Sequence, residues 1–527
     1  MSEHELHQRL NKLNAIGVAL SGETKIERLV ESILIAAIDL VRAEAGTLYL
    51  VRDNKLHFEI LLNNRLGLAQ GGSSGCSVSL PPVPLALADG RPNLSNVVAC
   101  AVNQQSTINI PDAYANAEYD FSGTRRFDQH SGYHSKSFLA VPMRDHEGKI
   151  IGVLQLINAL NRQNEIEIFT LNDQHLVESL ASQAAIAITN RRLILSLQRL
   201  FEGFINLINL AIDDKSPYTG GHCQRVPELT MMLADAANRS ELGELAHFKM
   251  TERDRYELKI AGLLHDCGKI TTPVHVVDKA TKLQTIFDRV TLIDQRFEIL
   301  IRDLELSMLR GQLGEAQYAE QLQQLRADRA LIHQANQGSE AMDDAQISRL
   351  ESIAKMVWVD SEGQTHAFLT SDELENLTIR KGTLTAAERA IINRHIEVTI
   401  QMLEALPWPS HLKNVPEYAG GHHERMDGKG YPRGLKREQM SVQARIMGIA
   451  DVFEALTARD RPYKDGMKLS MALQILTRMA RERHVDLDLF KVFLTERVWF
   501  DYAQRFLNES QIDEVNIAEL LLQLESF

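Results

Sequence analysis

Seven side chains suited to metal ions recur in a fixed order between residues 222 and 451 of this 527-residue chain. They are His222, the adjacent pair His265-Asp266, His395, the adjacent pair His422-His423, and Asp451. Imidazole and carboxylate together suit first-row transition ions such as iron, manganese or zinc. The set is too large for one tetrahedral ion. It suits two ions a few ångströms apart that share a carboxylate, an arrangement that hydrolyses phosphate esters. Lys269 follows the His-Asp pair closely enough to return toward its carboxylate and toward a phosphate. Taken singly, His222 and His395 read as structural histidines, whereas Asp451 in an apolar helical run needs a cation.

The elements that must position these groups are helical. Leu258, Ile260, Ala261 and Leu264 have the spacing of a buried helix that ends at His265-Asp266. Ile392, Ile396, Ile400 and Leu403 place His395 on another helix. The segment GGHHERMDGKGYPRGL, with five glycines and Pro432, is a turn-rich loop instead. Between Lys269 and His395 lie more residues than two core helices require. Val290, Ile293, Phe297, Leu300 and Leu304 form an apolar seam there, and Leu322, Leu325 and Ile332 continue it after a polar break at 311–314. This predicts a projecting helical hairpin over 281–355, suited to dimerisation, to covering the site, to a partner, or to plain packing. The tail, 466–527, reads as helical with Trp499, Phe500, Tyr502 and Phe506 in its core.

The first part of the chain has a different texture. Residues 5–43 are helical with a break at Ser21–Thr24. TLYLVRD and KLHFEILL are β-rich and joined by Asp53-Asn54, a hairpin turn. SFLAVPMRD and KIIGVLQLINA flank His146-Glu147-Gly148 in the same way, and a helix follows from about Asn172 to Arg192. The expected fold class is therefore multidomain. An N-terminal helix (1–21) precedes an α+β domain with an antiparallel sheet (22–190). A helical connector (191–205), apolar at Leu193, Leu195, Leu197, Leu200, Phe201 and Phe204, leads to an all-α domain (206–527).

Composition narrows the functional classes. A formal charge of −13 argues against binding DNA or RNA polymers, which demand a basic surface. Four dispersed cysteines without a CxxC pair read as reduced thiols. The apolar runs look too short for a membrane span of ~20 residues. With no signal-peptide core at the N-terminus, the expected location is cytoplasmic.

The order H…HD…D resembles the HD superfamily of metal-dependent phosphohydrolases. Adding HDCGK, His395, HHERMDGKGYP and DRPYK makes the chain resemble the HD-GYP subfamily over about 206–300 and 380–510. The resemblance implies one ion held by His222, His265 and Asp451 and another by His395, His422 and His423, with Asp266 bridging. Iron or manganese is expected, with zinc or nickel as alternatives. Tyr218 stands where some members have a glutamate for a third ion, and Ser216 replaces a frequent aspartate. The implied activity is hydrolysis of cyclic di-GMP to linear pGpG, GMP or both. The resemblance implies Asp266 and Lys269 as the catalytic residues and Lys269, Arg461 and Lys464 as phosphate contacts. Gly428, Gly430, Tyr431 and Pro432 shape a loop that also meets partner proteins. A different cyclic nucleotide substrate, or a scaffold with little catalysis, are the competing expectations. Residues 22–190 resemble a GAF sensor domain for a small ligand, as expected of a regulated homodimer. Asn158, Phe169 and Asp173 match part of the cyclic-nucleotide signature of such domains, but Ala159 and Gln174 depart from it.

Overall fold

In the computed structural model the apolar, β-branched runs after residue 42 form eight strands. They are β1 (Ala43–Arg52), β2 (Lys55–Asn63), β3 (Leu68–Gly71), β4 (Val83–Pro84), β5 (Ile108–Ile110), β6 (Phe138–Arg144), β7 (Ile150–Leu160) and β8 (Ile166–Glu167). The structure describes residues 3–215, 221–338, 342–458 and 466–525. It divides into two units, Met1–Phe201 and Glu202–Phe527.

The sheet of the first unit runs β3-β2-β1-β7-β6-β5, with β4 beside β2 and β8 beside β7. Its pairings are antiparallel, and Thr47 of β1 faces Gln155 of β7. Asp53 and Asn54 both take positive φ, the twist that two-residue hairpins favour. Helices α1 (Glu3–Gly22), α2 (Ile26–Val41), α3 (Val97–Asn103), α4 (Ser122–Ser131) and α5 (Leu171–Lys215) complete the unit. In α2 the period of Leu29, Val30, Ile33, Leu34 and Ala37 builds a stripe buried on one sheet face with α1 and the start of α5. The opposite face packs Tyr49, Phe138 and Val153 against Val98 and Cys100 of α3.

The helix expected to end near Arg192 and the connector at 191–205 are one uninterrupted 45-residue element, α5. No proline interrupts it, and Gly203 alone costs only about 1 kcal/mol of helix propensity. This corrects a second expectation, because α5 is long and apolar enough to cross a membrane by length and composition.

The second unit is mainly helical: α6 (His222–Arg239), α7 (Glu252–Leu264), α8 (Val274–Val277), α9 (Val290–Leu309), α10 (Glu315–Asn336), α11 (Asp344–Ala354) and α12 (Ser371–Leu377). After these come α13 (Ala386–Glu404), α14 (Val415–Gly420), α15 (Val442–Thr457), α16 (Leu469–Arg481), α17 (Leu487–Thr495), α18 (Val498–Phe506) and α19 (Ile517–Glu525). Helix α6 packs on α7, α15, α17 and α18, and α13 packs on α14 and on the short 3-10 turn Cys267–Thr271. Trp499 and Tyr502 are buried in the tail, but Phe506 is 39% exposed and is not core.

The insertion is more than a bare hairpin. Helices α9 and α10 pair, but their seam is closed by α11, α12 and a two-stranded hairpin of β9 (Val357–Val359) and β10 (Thr365–Ala367). Ile293, Phe297, Ile332, Leu350, Phe368 and Leu377 form this subdomain's own core. The alternation in VWVDSEGQTHA, with Asp360 N–H bonded to Gln364 O across Gly363, accounts for the strands.

Candidate metal centre

Each metal-seeking side chain lies at the end or on the inner face of a helix. His222 opens α6, His265 follows α7, Asp266 immediately precedes the 3-10 turn, His395 lies within α13, His422 and His423 follow α14, and Asp451 lies within α15. Thr251 and Thr385 cap α7 and α13 with full capping boxes, which fixes where those helices start.

Gly268 explains how two of these elements come so close. A Cβ there would fall 2.1 Å from the His395 carbonyl oxygen and 2.6 Å from Thr399 N. Its own N–H donates to Thr399 Oγ1 at 2.9 Å. The glycine in HDCGK thus lets the turn carrying Asp266 touch the helix carrying His395.

The seven groups converge. His222 Nε2 lies 3.1 Å from Asp266 Oδ2 and 3.4 Å from Asp451 Oδ1. His265 Nε2 is 3.3 Å from Asp266 Oδ2, and His395 Nε2 is 3.2 Å from Asp266 Oδ1. His423 Nε2 is 3.1 Å from His395 Nε2, and its Nδ1 is 4.0 Å from Asp451 Oδ2. Two trios, His222-His265-Asp266 and His395-His422-His423, each have ligand atoms within 4.8 Å of one another.

Three buried atoms of this cluster, His265 Nε2, Asp266 Oδ1 and His422 Nε2, make no hydrogen bond. Buried polar atoms rarely go without a partner. Here they stand within a few ångströms of other ligand atoms without the angles of a hydrogen bond, as donors aimed at a shared cation do. The residues present therefore fit divalent metal ions.

The opposite ring nitrogens are held. His265, His395 and His422 each approach the carbonyl three residues earlier through Nδ1: Gly262 O at 2.8 Å, Ile392 O at 2.6 Å and Ala419 O at 2.6 Å. That contact places the proton on Nδ1 and leaves Nε2 as a lone pair for metal. His222 uses a carboxylate instead, Glu454 Oε2 at 2.5 Å, and Glu454 also accepts from Arg225 Nε at 2.8 Å. Sequence reasoning missed Glu454. Its signal was available: an acid one turn after Asp451 in the apolar run ADVFEALT lies on the same helix face.

The electrostatics separate His222 from the other histidines. Burial opposes charge on His222, but Glu454, Asp266 and Asp451 outweigh it and hold the imidazole well above its ordinary range. Burial would raise Asp266 and Asp451, yet the surrounding Lys269 and histidines hold both far below the carboxylate range. Burial drives His422 well down, and it takes His423 down to about 4. Ionised carboxylates and neutral imidazoles are the forms that ligate cations, so Asp266, Asp451, His422 and His423 stand ready to bind one, whereas His222 must give up a proton as an ion enters. Lys269 Nζ bonds Asp266 Oδ2 at 2.5 Å, and despite burial that carboxylate and Asp451 hold its ammonium above the usual range.

The glycine-rich loop closes one side. Tyr431 stacks on His423 with centroids 4.9 Å apart, and burial pushes its phenol up to about 12. A Cβ on Gly430 would meet Arg425 N at 2.4 Å. Gly428 has positive φ, and the Tyr431-Pro432 peptide is cis. Buried Glu424 ties the loop down by accepting from Arg433 N and Leu435 N. A cavity of about 560 Å³ opens beside His422, His423 and Asp451, with Arg425, Lys429 and His484 on its wall. Arg461 and Lys464, like Ser216 and Tyr218, lie outside the described residues.

In the first unit the three residues of the cyclic-nucleotide pattern are each engaged within the fold. Asn158 is buried, and its amide is consumed by Glu44, Tyr133, His134, Lys136 and Ser137. Asp173 accepts from Thr170 and pairs with Arg9. Phe169 belongs to the core on the α2 side of the sheet.

The chain thus carries a GAF domain followed by an HD domain. The GAF domain family matches residues 25–188, and two HD domain families match 219–342 and 370–489. It is similar to 3'3'-cGAMP-specific phosphodiesterase 1 of Vibrio cholerae, 37% identical over 27% of this chain and 34% of the relative. It is also similar to 3'3'-cGAMP-specific phosphodiesterase 3 of the same organism, 34% identical over 24% and 26%. A cyclic di-GMP phosphodiesterase of Pseudomonas aeruginosa is 39% identical over 22% and 27%. These matches span between a quarter and about a third of the relatives' own lengths.

Proposed function

We propose that the second unit is a metal-dependent phosphodiesterase for a cyclic dinucleotide, with cyclic di-GMP as substrate and linear pGpG, GMP or both as product. The observation that carries this reading is the convergence of unpartnered, buried His265 Nε2, Asp266 Oδ1 and His422 Nε2 on one space. His222, His265 and Asp451 would hold one divalent ion and His395, His422 and His423 the other, with Asp266 shared; iron or manganese fits these donors. When bound, such a pair acidifies water to near-neutral pKa and polarises phosphoryl oxygens. The chain's own groups do the rest. Lys269 and Arg425 offer positive charge where phosphate oxygens gain negative charge. Tyr431, Met467 and Met479 give the adjoining cavity faces on which a nucleobase can rest. Arg461 and Lys464 remain further phosphate contacts in this reading.

We also propose that the protein is a homodimer through α5. Leu193, Leu197, Leu200, Phe204 and Leu207 are 51–64% exposed and spaced four, three, four and three apart. That is the repeat of a coiled coil, so a second copy of this helix is the matching partner. The GAF domain would then regulate the enzyme.

The test is metal analysis of anaerobically purified protein alongside hydrolysis of cyclic di-GMP and 3'3'-cGAMP. Asp266→Ala is expected to lose bound metal and turnover together; full turnover in that variant would refute the shared ligand. Relatives are named for each of the two substrates, so 3'3'-cGAMP is the second reading, and a hundredfold preference for it would replace cyclic di-GMP.

A further inference from the structure

The sheet of the GAF domain carries a cavity of about 550 Å³ on the face away from α2. Six aromatic rings line it: Tyr49, Phe58, Phe121, Phe127, Tyr133 and Phe138. Its volume is that of a small-molecule site. Asp120 is the one charged side chain among the described residues of its wall, which holds no lysine, arginine or histidine. Enclosing a phosphate there would strand an anion without a counter-charge, facing a carboxylate.

The floor is polar at one point. Thr47 and Gln155 face each other across β1 and β7, and Gln155 Oε1 accepts from the Tyr49 hydroxyl at 3.0 Å. Thr47, Tyr49 and Gln155 are 4%, 5% and 9% exposed. With its oxygen engaged, the Gln155 amide still has N–H groups to donate, and the cavity is the space they border. Burial pushes the Tyr49 phenol far up, so this floor is uncharged at any physiological pH.

We propose that this cavity binds an uncharged, flat aromatic molecule carrying one hydrogen-bond acceptor, received by the Gln155 amide, and that it excludes nucleotides. The rings supply offset and edge-on contacts to a flat aromatic ligand. The site is separate from the metal centre and does not depend on the reading proposed for it.

The test is ligand-observed NMR and calorimetry on the full chain, with 4-hydroxyacetophenone as the neutral probe, benzoate as an anion of similar size, and cyclic GMP. Leu61→Trp fills the cavity from its wall, and Gln155→Leu removes the donor while keeping the volume. The neutral probe is expected to bind with Kd below about 1 mM, at least tenfold tighter than benzoate or cyclic GMP. Leu61→Trp should abolish that binding, and Gln155→Leu should weaken it fivefold or more. Circular dichroism and unchanged metal content confirm that each variant folds. Tighter binding of benzoate or cyclic GMP, no binding of the neutral probe, or binding indifferent to both folded variants would overturn the proposal. Because the readout is binding, a chain inactive toward cyclic dinucleotides leaves the result intact.

Discussion

Replacing Glu454 with glutamine probes the centre without touching a ligand. The carboxylate is 1% exposed and accepts from both His222 Nδ1 and Arg225 Nε. Glutamine keeps the shape but only one accepting oxygen, so its NH2 group must face either the imidazole N–H or the guanidinium. The His222 ring then loses the partner that fixes its orientation and raises its basicity. Loss of such an orienting group weakens metal affinity 10- to 100-fold, about 1.4–2.7 kcal/mol. The upper end is expected here, because a buried charged partner is replaced by a mismatched donor. Competition titration of the metal-free protein with manganese and a chelating dye gives the two apparent affinities, and thermal unfolding checks the fold. One ion should weaken by this factor while the other, near His395, His422 and His423, changes less than threefold. If both ions bind Glu454→Gln as tightly as wild type, His222 is not a ligand and the assignment of the first trio fails.

Three further outcomes follow from particular contacts. Gly268→Ala places a Cβ 2.1 Å from the His395 carbonyl, so overpacking should cost about 1–3 kcal/mol and lower metal content with it; wild-type stability with full metal content would contradict the close contact. Burial lowers Lys282 to about 8, while the unfolded chain keeps that proton to about 10.4. Between these values the unfolded state binds more protons, so stability should rise with pH by about 3 kcal/mol in all. The penalty is fully present below about pH 8, and Lys282→Met should flatten the rise in urea unfolding curves compared at about pH 7.5 and 10. The double variant Leu197→Glu, Leu200→Glu should shift sedimentation from dimer to monomer, and an unchanged dimer would remove α5 as the interface.

Much of this was legible because ligand chemistry leaves residue types in fixed contexts. A His-Asp pair at the end of an apolar helix and paired histidines in a glycine-rich loop each need a reason, and the structure supplies a common one. The sheet was legible from alternation and from Asp53-Asn54. What escaped lies in interactions that a linear reading cannot rank. Glu454 looked like an ordinary helix acid until His222 arrived from far away in the chain. Helix α5 divides in the sequence only because its apolar pattern changes from the domain's last helix to the connector, yet no residue near Asn190 can stop a helix. The hairpin β9-β10 is too short to stand out, and it persists because Trp358 stacks on His366 beside the insertion's core. Asn158 matches a nucleotide pattern by type, while Glu44, Tyr133 and backbone groups bond its side-chain amide.

The carbonyl tethers of His265, His395 and His422 have an evolutionary consequence. A backbone oxygen is encoded by no particular codon, so no single replacement can delete those three supports. Ion preference would then drift under selection chiefly through His222, whose support alone is a side chain. Lineages that exchange iron for manganese, or lose metal altogether, should bear their changes first at the position of Glu454.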